Sequence, residues 1–288
     1  MLFNRLTYRP LLALFAATAL FLSGCGAFIF NPERELTADP AFDAVAPHED
    51  VFFTTADNVR LHGWLFRAAR PKGIVVFLHG YEENISTQAR NVAWLVAAGY
   101  DLFAPDYRGH GRSEGSPSIA GINVDGLAAL DEGFRLRPGN GPVFLFGQSM
   151  GAAVAVWTAA NSPHRGDIAA LIIDAPFSSY RLIAKESLAK SATKWPLQYF
   201  TFLLNDSYSP IRWIGRVSPV PVLIIHGAED ATNMPYHSQR LFEAAGEPKE
   251  LWMVEGKGHP RALEGASEQK RLIEYMDGII REEAGKNR

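Results

Sequence analysis

Val143-Phe144-Leu145-Phe146-Gly147-Gln148-Ser149-Met150-Gly151-Ala152-Ala153-Val154-Ala155-Val156 passes from an unbroken apolar run, through two glycines, into a stretch of Ala and Val. The apolar run has the composition of a strand covered on both faces. The stretch from Met150 to Asn161 is long enough for a helix. Between them, Gly147-Gln148-Ser149-Met150-Gly151 spells Gly-x-Ser-x-Gly. At a sharp strand-to-helix turn this pattern lifts the serine hydroxyl clear of the backbone and aims the helix's leading amides at it. Glycines flank the serine because side chains there would collide. The five residues alone are a weak signal, and their setting between strand and helix carries the inference.

Working outward from the turn, strands and helices alternate. Strands are expected at Val51 to Thr55 and Val59 to Arg67, a hairpin about Asp57-Asn58, and at Gly73 to Leu78 and Tyr100 to Pro105. After the serine they are expected at Ala169 to Ile173, Val220 to Ile225 and Glu250 to Val254. Helices are expected over Ser86 to Ala98, Val124 to Leu136 and Leu263 to Glu283. About eight strands in this rhythm predict an α/β fold, a mostly parallel sheet with helices on both faces. Its chemistry should sit at the carboxyl ends of the strands. Pro176 to Ser218 interrupts the rhythm. A connection that long needs structure of its own, and it predicts a small helical lid over that edge. Hydrophobic residues at 47%, a formal charge of −3 and no Lys/Arg cluster exclude a disordered chain and a nucleic-acid binder. One cysteine excludes an internal disulfide framework and a cysteine-based metal cluster.

The first residues read as a targeting segment. Arg5 and Arg9 precede an uncharged apolar run, Leu11 to Leu22, which has the proportions of a secretory signal. Leu22-Ser23-Gly24-Cys25 follows and resembles a bacterial lipobox. Residues 1–24 are expected to be a signal peptide and Cys25 to carry lipid. Residues 25–50 are then a tether, and 51–288 the catalytic domain with 176–218 as its lid. An uncleaved helix over Leu11 to Phe30, or cleavage elsewhere and simple secretion, are the alternatives.

A serine needs a base. The chain has eight histidines, and four of them, His164, His226, His237 and His259, follow Ser149. His259, in Gly256-Lys257-Gly258-His259-Pro260 after the last strand, is the expected base, and Pro260 keeps it out of a helix. Asp230, which closes His226-Gly227-Ala228-Glu229-Asp230 after the preceding strand, is the expected acid. Asp174 and Glu229 remain as alternatives. His48 and His62 read as surface residues, and His79 as structural. The oxyanion of a tetrahedral intermediate needs amide donors, expected from Met150 and from Tyr81 in His79-Gly80-Tyr81.

Taken together, His79-Gly80 with Asn84, Asp106-Tyr107-Arg108-Gly109-His110-Gly111-Arg112-Ser113, the Ser149 turn, His226-Gly227 to Asp230, and Gly258-His259 resemble the alpha/beta-hydrolase superfamily, serine esterase type. The resemblance covers about Val51 to the end. It implies that the Asp106 to Ser113 loop lies beside the pocket, with Arg108 and His110 structural. The chain departs from many lipases in having His-Gly-Tyr where they carry His-Gly-Gly-Gly, which bears on the Tyr81 assignment. The expected activity is hydrolysis of a small-molecule ester or thioester through an acyl-enzyme on Ser149, Asp230 and His259, with no metal and no cofactor. A peptidase, an amidase or an acyltransferase on the same triad is the alternative, as is a non-catalytic lipid-anchored binding protein. The expected place is the bacterial cell envelope, membrane-anchored on the periplasmic face.

Replacement of the sole thiol tests the targeting segment. Wild-type protein should incorporate radioactive palmitate and partition into detergent, and Cys25→Ala should remove the label and accumulate precursor. Intact mass spectrometry that finds Met1 to Gly24 retained without acyl groups, or a different mature terminus, would sink the lipoprotein reading.

Overall fold

Ile74, Val76 and Leu78 pack into one apolar cluster, while Val75 and Phe77 pack into another. Successive strand residues point to opposite faces, so a strand apolar at every position belongs in a sheet covered on both sides. That sheet is the centre of the molecule. The structure, a computed structural model, describes residues 30–286. The apolar segment before Phe30 and Cys25 lie outside the described residues.

The chain begins with a two-residue strand, Asn31–Pro32 (β1), and a helix, Pro40–Val45 (α1), capped by the Asp39 carboxylate on the Ala41 and Phe42 amides. His48–Thr54 (β2) and Arg60–Phe66 (β3) form the antiparallel hairpin, with Asn58 in left-handed backbone at its turn. Ile74–Leu78 (β4) leads into Glu82–Glu83 (β5), then Ile85–Gln88 (α2), Trp94–Ala97 (α3) and Asp101–Pro105 (β6). Ile119–Leu136 (α4) precedes Val143–Gln148 (β7), and Met150–Asn161 (α5) follows it. The remainder is Ile168–Asp174 (β8), Tyr180–Ala189 (α6), Val222–Gly227 (β9), Tyr236–Ala244 (α7), Lys249–Val254 (β10) and Ala266–Lys286 (α8).

Eight strands form one sheet in the order β10-β9-β8-β7-β4-β6-β3-β2. The β2–β3 and β3–β6 pairs are antiparallel and the others parallel. Chain order reverses at β4, which lies between β6 and β7, so the crevice at their carboxyl ends is the natural binding place. Ile122 and Leu130 of α4 and the Ala/Val face of α5 cover one side. Ile85 of α2, Leu95 of α3, and Leu272 and Met276 of α8 cover the other.

Three departures from the sequence reading have local causes. The helix expected over Ser86 to Ala98 is broken into α2, a 3-10 turn at Ala89–Asn91 and α3. At the break the Trp94 ring donates to the Asn91 carbonyl and the Asn91 amide reaches Gln148, side-chain bonds that compete with a continuous helix. The stretch expected as a loose tether is folded onto the domain from Phe30 onward. Arg34 donates to the Ser113 and Gly115 carbonyls, and Asn84 to those of Glu33 and Glu35. β1 pairs with β5, and Phe30 is buried in the core. His62 is buried against Asp50 rather than lying at the surface.

Between β8 and β9 the expected helical insertion takes the form of α6 and three 3-10 segments, Trp195–Leu203, Pro210–Arg212 and Ile214–Arg216. Asp206 holds its turns together by accepting from Ser179 Oγ and the Arg181 amide at 2.9 and 3.1 Å. α6 rests on the loop after β9 and on α7: Ser178, just before α6, donates its amide to His237 Nδ1 of α7, and Lys190 reaches the Ala231 carbonyl in the loop. At the opposite edge of the sheet, Tyr100 and Lys72 hold Asp277 of α8 at 2.6 and 2.9 Å.

Arg108 braces the loop after β6. Its guanidinium takes Asp125 of α4 at 2.8–2.9 Å and Asp57 of the hairpin turn at 2.8–2.9 Å. Asp125 is buried, so Arg108→Ala strands a carboxylate with no counter-charge. The loss in urea-unfolding free energy should be roughly 3–5 kcal/mol. A loss below about 1 kcal/mol would show that the pair acts as an ordinary surface ion pair.

Candidate active site

Ser149 sits between β7 and α5 with φ 55° and ψ −115°, a conformation that costs a residue with a side chain. Its amide donates to the Asp174 carbonyl at 2.9 Å, fixing the turn to the neighbouring strand. A Cβ at Gly151 would stand 1.9 Å from the Leu78 carbonyl oxygen, and one at Gly147 2.3 Å from that of Gly151. The head of α5 can therefore cross the end of β4 only with glycine at both places. The crossing brings the Ser149 side chain up at the carboxyl edge, beside Gly80.

His259 lies in the loop after β10. Its Nε2 is 3.0 Å from Ser149 Oγ and its Nδ1 is 2.7 Å from Asp230 Oδ2. An ionised carboxylate only accepts, so Nδ1 carries the ring proton and Nε2 is left to accept from the serine hydroxyl. Asp230 is buried at the head of its loop, where its Oδ1 accepts the Thr232 and Asn233 amides at 2.8 and 2.9 Å. Burial pushes this carboxyl up. Hydrogen bonds from His226 and His259, with the charge of the latter and the Thr232 amide, outweigh it and hold the group well below the usual carboxylate range. Asp230 thus stays ionised.

Of the two alternative acids, Glu229 is exposed. Asp174 is buried, but its Oδ2 accepts from Gln148 at 2.9 Å. Burial pushes Asp174 up to about 6. Met150 is the first residue of α5, and the first amides of a helix lack partners inside it. Tyr81 follows Gly80, whose missing side chain would lie 3.9 Å from Ser149 Cβ. The Tyr81 side chain itself is exposed.

Five supporting residues have no assigned role in the sequence reading. His226 directs Nε2 to both the Asn233 carbonyl at 2.8 Å and Asp230 Oδ2 at 3.2 Å, so one carboxylate oxygen serves two imidazoles. Ser238 pairs with the other nitrogen of that ring at 2.6 Å. Gln148, the variable residue before the serine, links Asp174 to the Pro260 carbonyl in the His259 loop. Asp106 accepts the Ile85 amide at 2.9 Å, and next to it Tyr107 donates to the His79 carbonyl at 3.1 Å, so the segment carrying Tyr81 is held on both sides. His226, Gln148, Asp106 and Tyr107 stand at strand ends within the stretches that carry the family resemblance, whereas Ser238, inside α7, carried no signal. His110 is buried and so pushed down to about 4, a neutral packing residue. Among the described residues no cluster of His, Cys, Asp and Glu is arranged to hold a metal.

Comparison with known proteins agrees with this layout. A hydrolase family model described as serine aminopeptidase, S33, matches residues 69–210. The alpha/beta hydrolase domain-containing protein WAV2 of Arabidopsis thaliana is 30% identical over 69% of this chain and 67% of its own. The chain belongs to the alpha/beta-hydrolase family. A bacterial relative of this alpha/beta-hydrolase, the uncharacterized protein YfhR of Escherichia coli K12, is 33% identical over 81% of this chain and 79% of its own length. Among solved structures, the esterase Pf2001 of Pyrococcus furiosus superposes with a TM-score of 0.70 at 25% identity, covering 87% of this chain and 99% of that one.

The buried Asp174 carboxyl makes stability pH-dependent. Its folded-state value of about 6 lies above the ordinary 3.8. The unfolded chain therefore gives up the proton first, and stability falls as pH rises from about 4 through about 6. At 1.36 kcal/mol per pH unit the loss is about 3 kcal/mol, complete above pH 6. Asp174→Asn removes it. Wild type should lose stability relative to this variant between pH 4 and 7 in urea titrations, and parallel profiles would refute the assignment.

Proposed function

We propose that this hydrolase-family protein cleaves carboxylic esters or thioesters through an acyl-enzyme on Ser149. One observation carries the reading: an unbroken hydrogen-bonded line from Ser149 Oγ to His259 Nε2 at 3.0 Å and from His259 Nδ1 to Asp230 Oδ2 at 2.7 Å. The likeness to a Pyrococcus furiosus esterase supports the choice of esters.

In the first step Ser149 Oγ bonds to the acyl carbon while its proton passes to His259 Nε2. The Met150 and Tyr81 amides receive the negative charge that develops on the carbonyl oxygen. When the tetrahedral species collapses, the bond to the alcohol or thiol breaks and the leaving group takes the proton from Nε2. Water then enters. It gives a proton to Nε2, attacks the acyl carbon and releases the acid, and the proton returns to Ser149. Asp230 stays ionised and stabilises the imidazolium in both halves. The residues named need no metal and no cofactor. We further propose that Cys25 carries lipid and holds the protein to a bacterial membrane on its periplasmic side, with 51–288 as the catalytic domain.

A series of p-nitrophenyl esters of increasing acyl length tests the activity. Ser149→Ala, folded by circular dichroism, should lose on the order of 10⁴–10⁶ in kcat. Asp230→Asn should lose on the order of 10³–10⁴, because the imidazole keeps its place but loses its orienting charge. Undiminished turnover by Ser149→Ala refutes the mechanism. Preference for aminoacyl anilides over every ester would move the substrate class to amides on the same residues.

A further inference from the structure

Among the described residues ten large apolar side chains are exposed, and six of them fall in one nine-residue stretch, Trp195–Leu203. Trp195 is 48% exposed, Tyr199 65%, Phe200 52% and Phe202 62%. Scattered apolar residues on a surface are ordinary, but six in one stretch form a patch. The stretch reads Trp-Pro-Leu-Gln-Tyr-Phe-Thr-Phe-Leu, with no charge, and it packs on α6. Lys185, Lys190 and Lys194 precede it, all exposed. Trp and Tyr beside apolar residues and lysines are what a bilayer interface favours. The rings bridge acyl chain and headgroup, and the cations meet anionic lipid.

A second observation, independent of that composition, places the patch relative to the N-terminus. β1 pairs with β5, and β5 follows the carboxyl end of β4 through His79, Gly80 and Tyr81. Glu33 accepts the Gly111 amide in the loop after β6, also a carboxyl end. The chain therefore enters the fold at the edge where Ser149 lies. Lys190, at the end of α6, is bonded to the Ala231 carbonyl in the loop that follows Asp230, at the same edge. The apolar run Leu11 to Leu22 ends eight residues before Phe30, roughly 28 Å of fully extended chain. Cys25 is closer still. A membrane that holds this segment lies next to the site edge and to the aromatic stretch.

We propose that the Trp195–Leu203 face seats on the lipid bilayer that holds the N-terminal segment, turning the mouth of the site to the membrane and drawing acyl substrate from it. The proposal rests on the reading of that segment as a membrane anchor and deepens the esterase reading. A protein with such a face meets the bilayer at two points. One retains it, and the other sets its orientation.

Full-length protein reconstituted into phosphatidylcholine–phosphatidylglycerol vesicles tests the contact, with brominated acyl chains as the tryptophan quencher. No tryptophan precedes Trp64, so the anchor segment contributes no signal. Brominated lipid should quench the fluorescence of wild type, and Trp195→Phe should remove most of that quenching. The Trp195→Ser, Phe200→Ser, Phe202→Ser variant should still float with vesicles through its N-terminus. Its rate on a long-chain aryl ester held in the bilayer should fall about tenfold or more against its rate on soluble p-nitrophenyl acetate. Flotation of wild type without quenching overturns the docking and leaves the anchor standing. Failure of wild type to float overturns both. If wild type is dimeric in detergent and the triple variant monomeric, the face binds a second copy and the proposal falls. Should no ester be hydrolysed, the esterase reading fails, and quenching alone still decides the docking.

Discussion

The backbone of Ser149, held at φ 55° and ψ −115°, is the constraint on which the site depends. A strained residue of this kind costs on the order of 1–3 kcal/mol and persists only where its surroundings fix it. Here three strands do so. Leu78 of β4 pairs with Gly147 of β7, and Gln148 of β7 with Asp174 of β8, whose carbonyl takes the Ser149 amide. The helix that follows must then pass over the end of β4 at a distance only glycine permits. A slip of one residue in either register would turn every side chain of β7 to the other face and carry Ser149 away from the edge. The sheet's apolar packing and the position of the serine are one requirement.

The acid–histidine pair depends on the same frame at one remove. Asp230 and His259 follow β9 and β10, which pair from Lys249 with Val222 to Val254 with Gly227. That register brings the two loops level. The Asp230 carboxylate is then saturated: two amides occupy Oδ1, and two imidazoles share Oδ2. It has no freedom to rotate away from His259. The arrangement also explains why a buried carboxylate remains ionised while Asp174, nearby and equally buried but with only the Gln148 side chain donating to its carboxylate, is pushed up.

How much of this the sequence displayed depends on the range of each contact. The turn at Ser149 was legible because its causes, two glycines and a change from strand to helix, lie within five residues. That His259 and Asp230 would meet was legible because strand ends in a parallel sheet share an edge, although three carboxylates competed for the place beside the imidazole. Glu229 differs from Asp230 only in pointing to solvent, which no pattern of letters reveals. His226, Gln148 and Asp106 work through partners 4 to 112 residues away, and a sequence without its fold gives such pairs no mark. Residues 31–50 looked unstructured for the same reason. Their Pro and acidic content lacks a period, and their order is imposed by Asn84, Ser86 and the loop after β6.

The docked arm and the last helix leave the sheet on opposite sides. β1 lies beside β5, directly after Tyr81, whereas Asp277 of α8 is fastened to Lys72 and Tyr100, the residues that lead into β4 and β6. The two poles are separated by the length of a six-residue strand, roughly 20 Å. Fusion partners are therefore not equivalent here. A fluorescent protein or purification handle joined directly ahead of Phe30 crowds the edge where Ser149 lies. The same cargo joined after α8 rides at the far pole, clear of the serine.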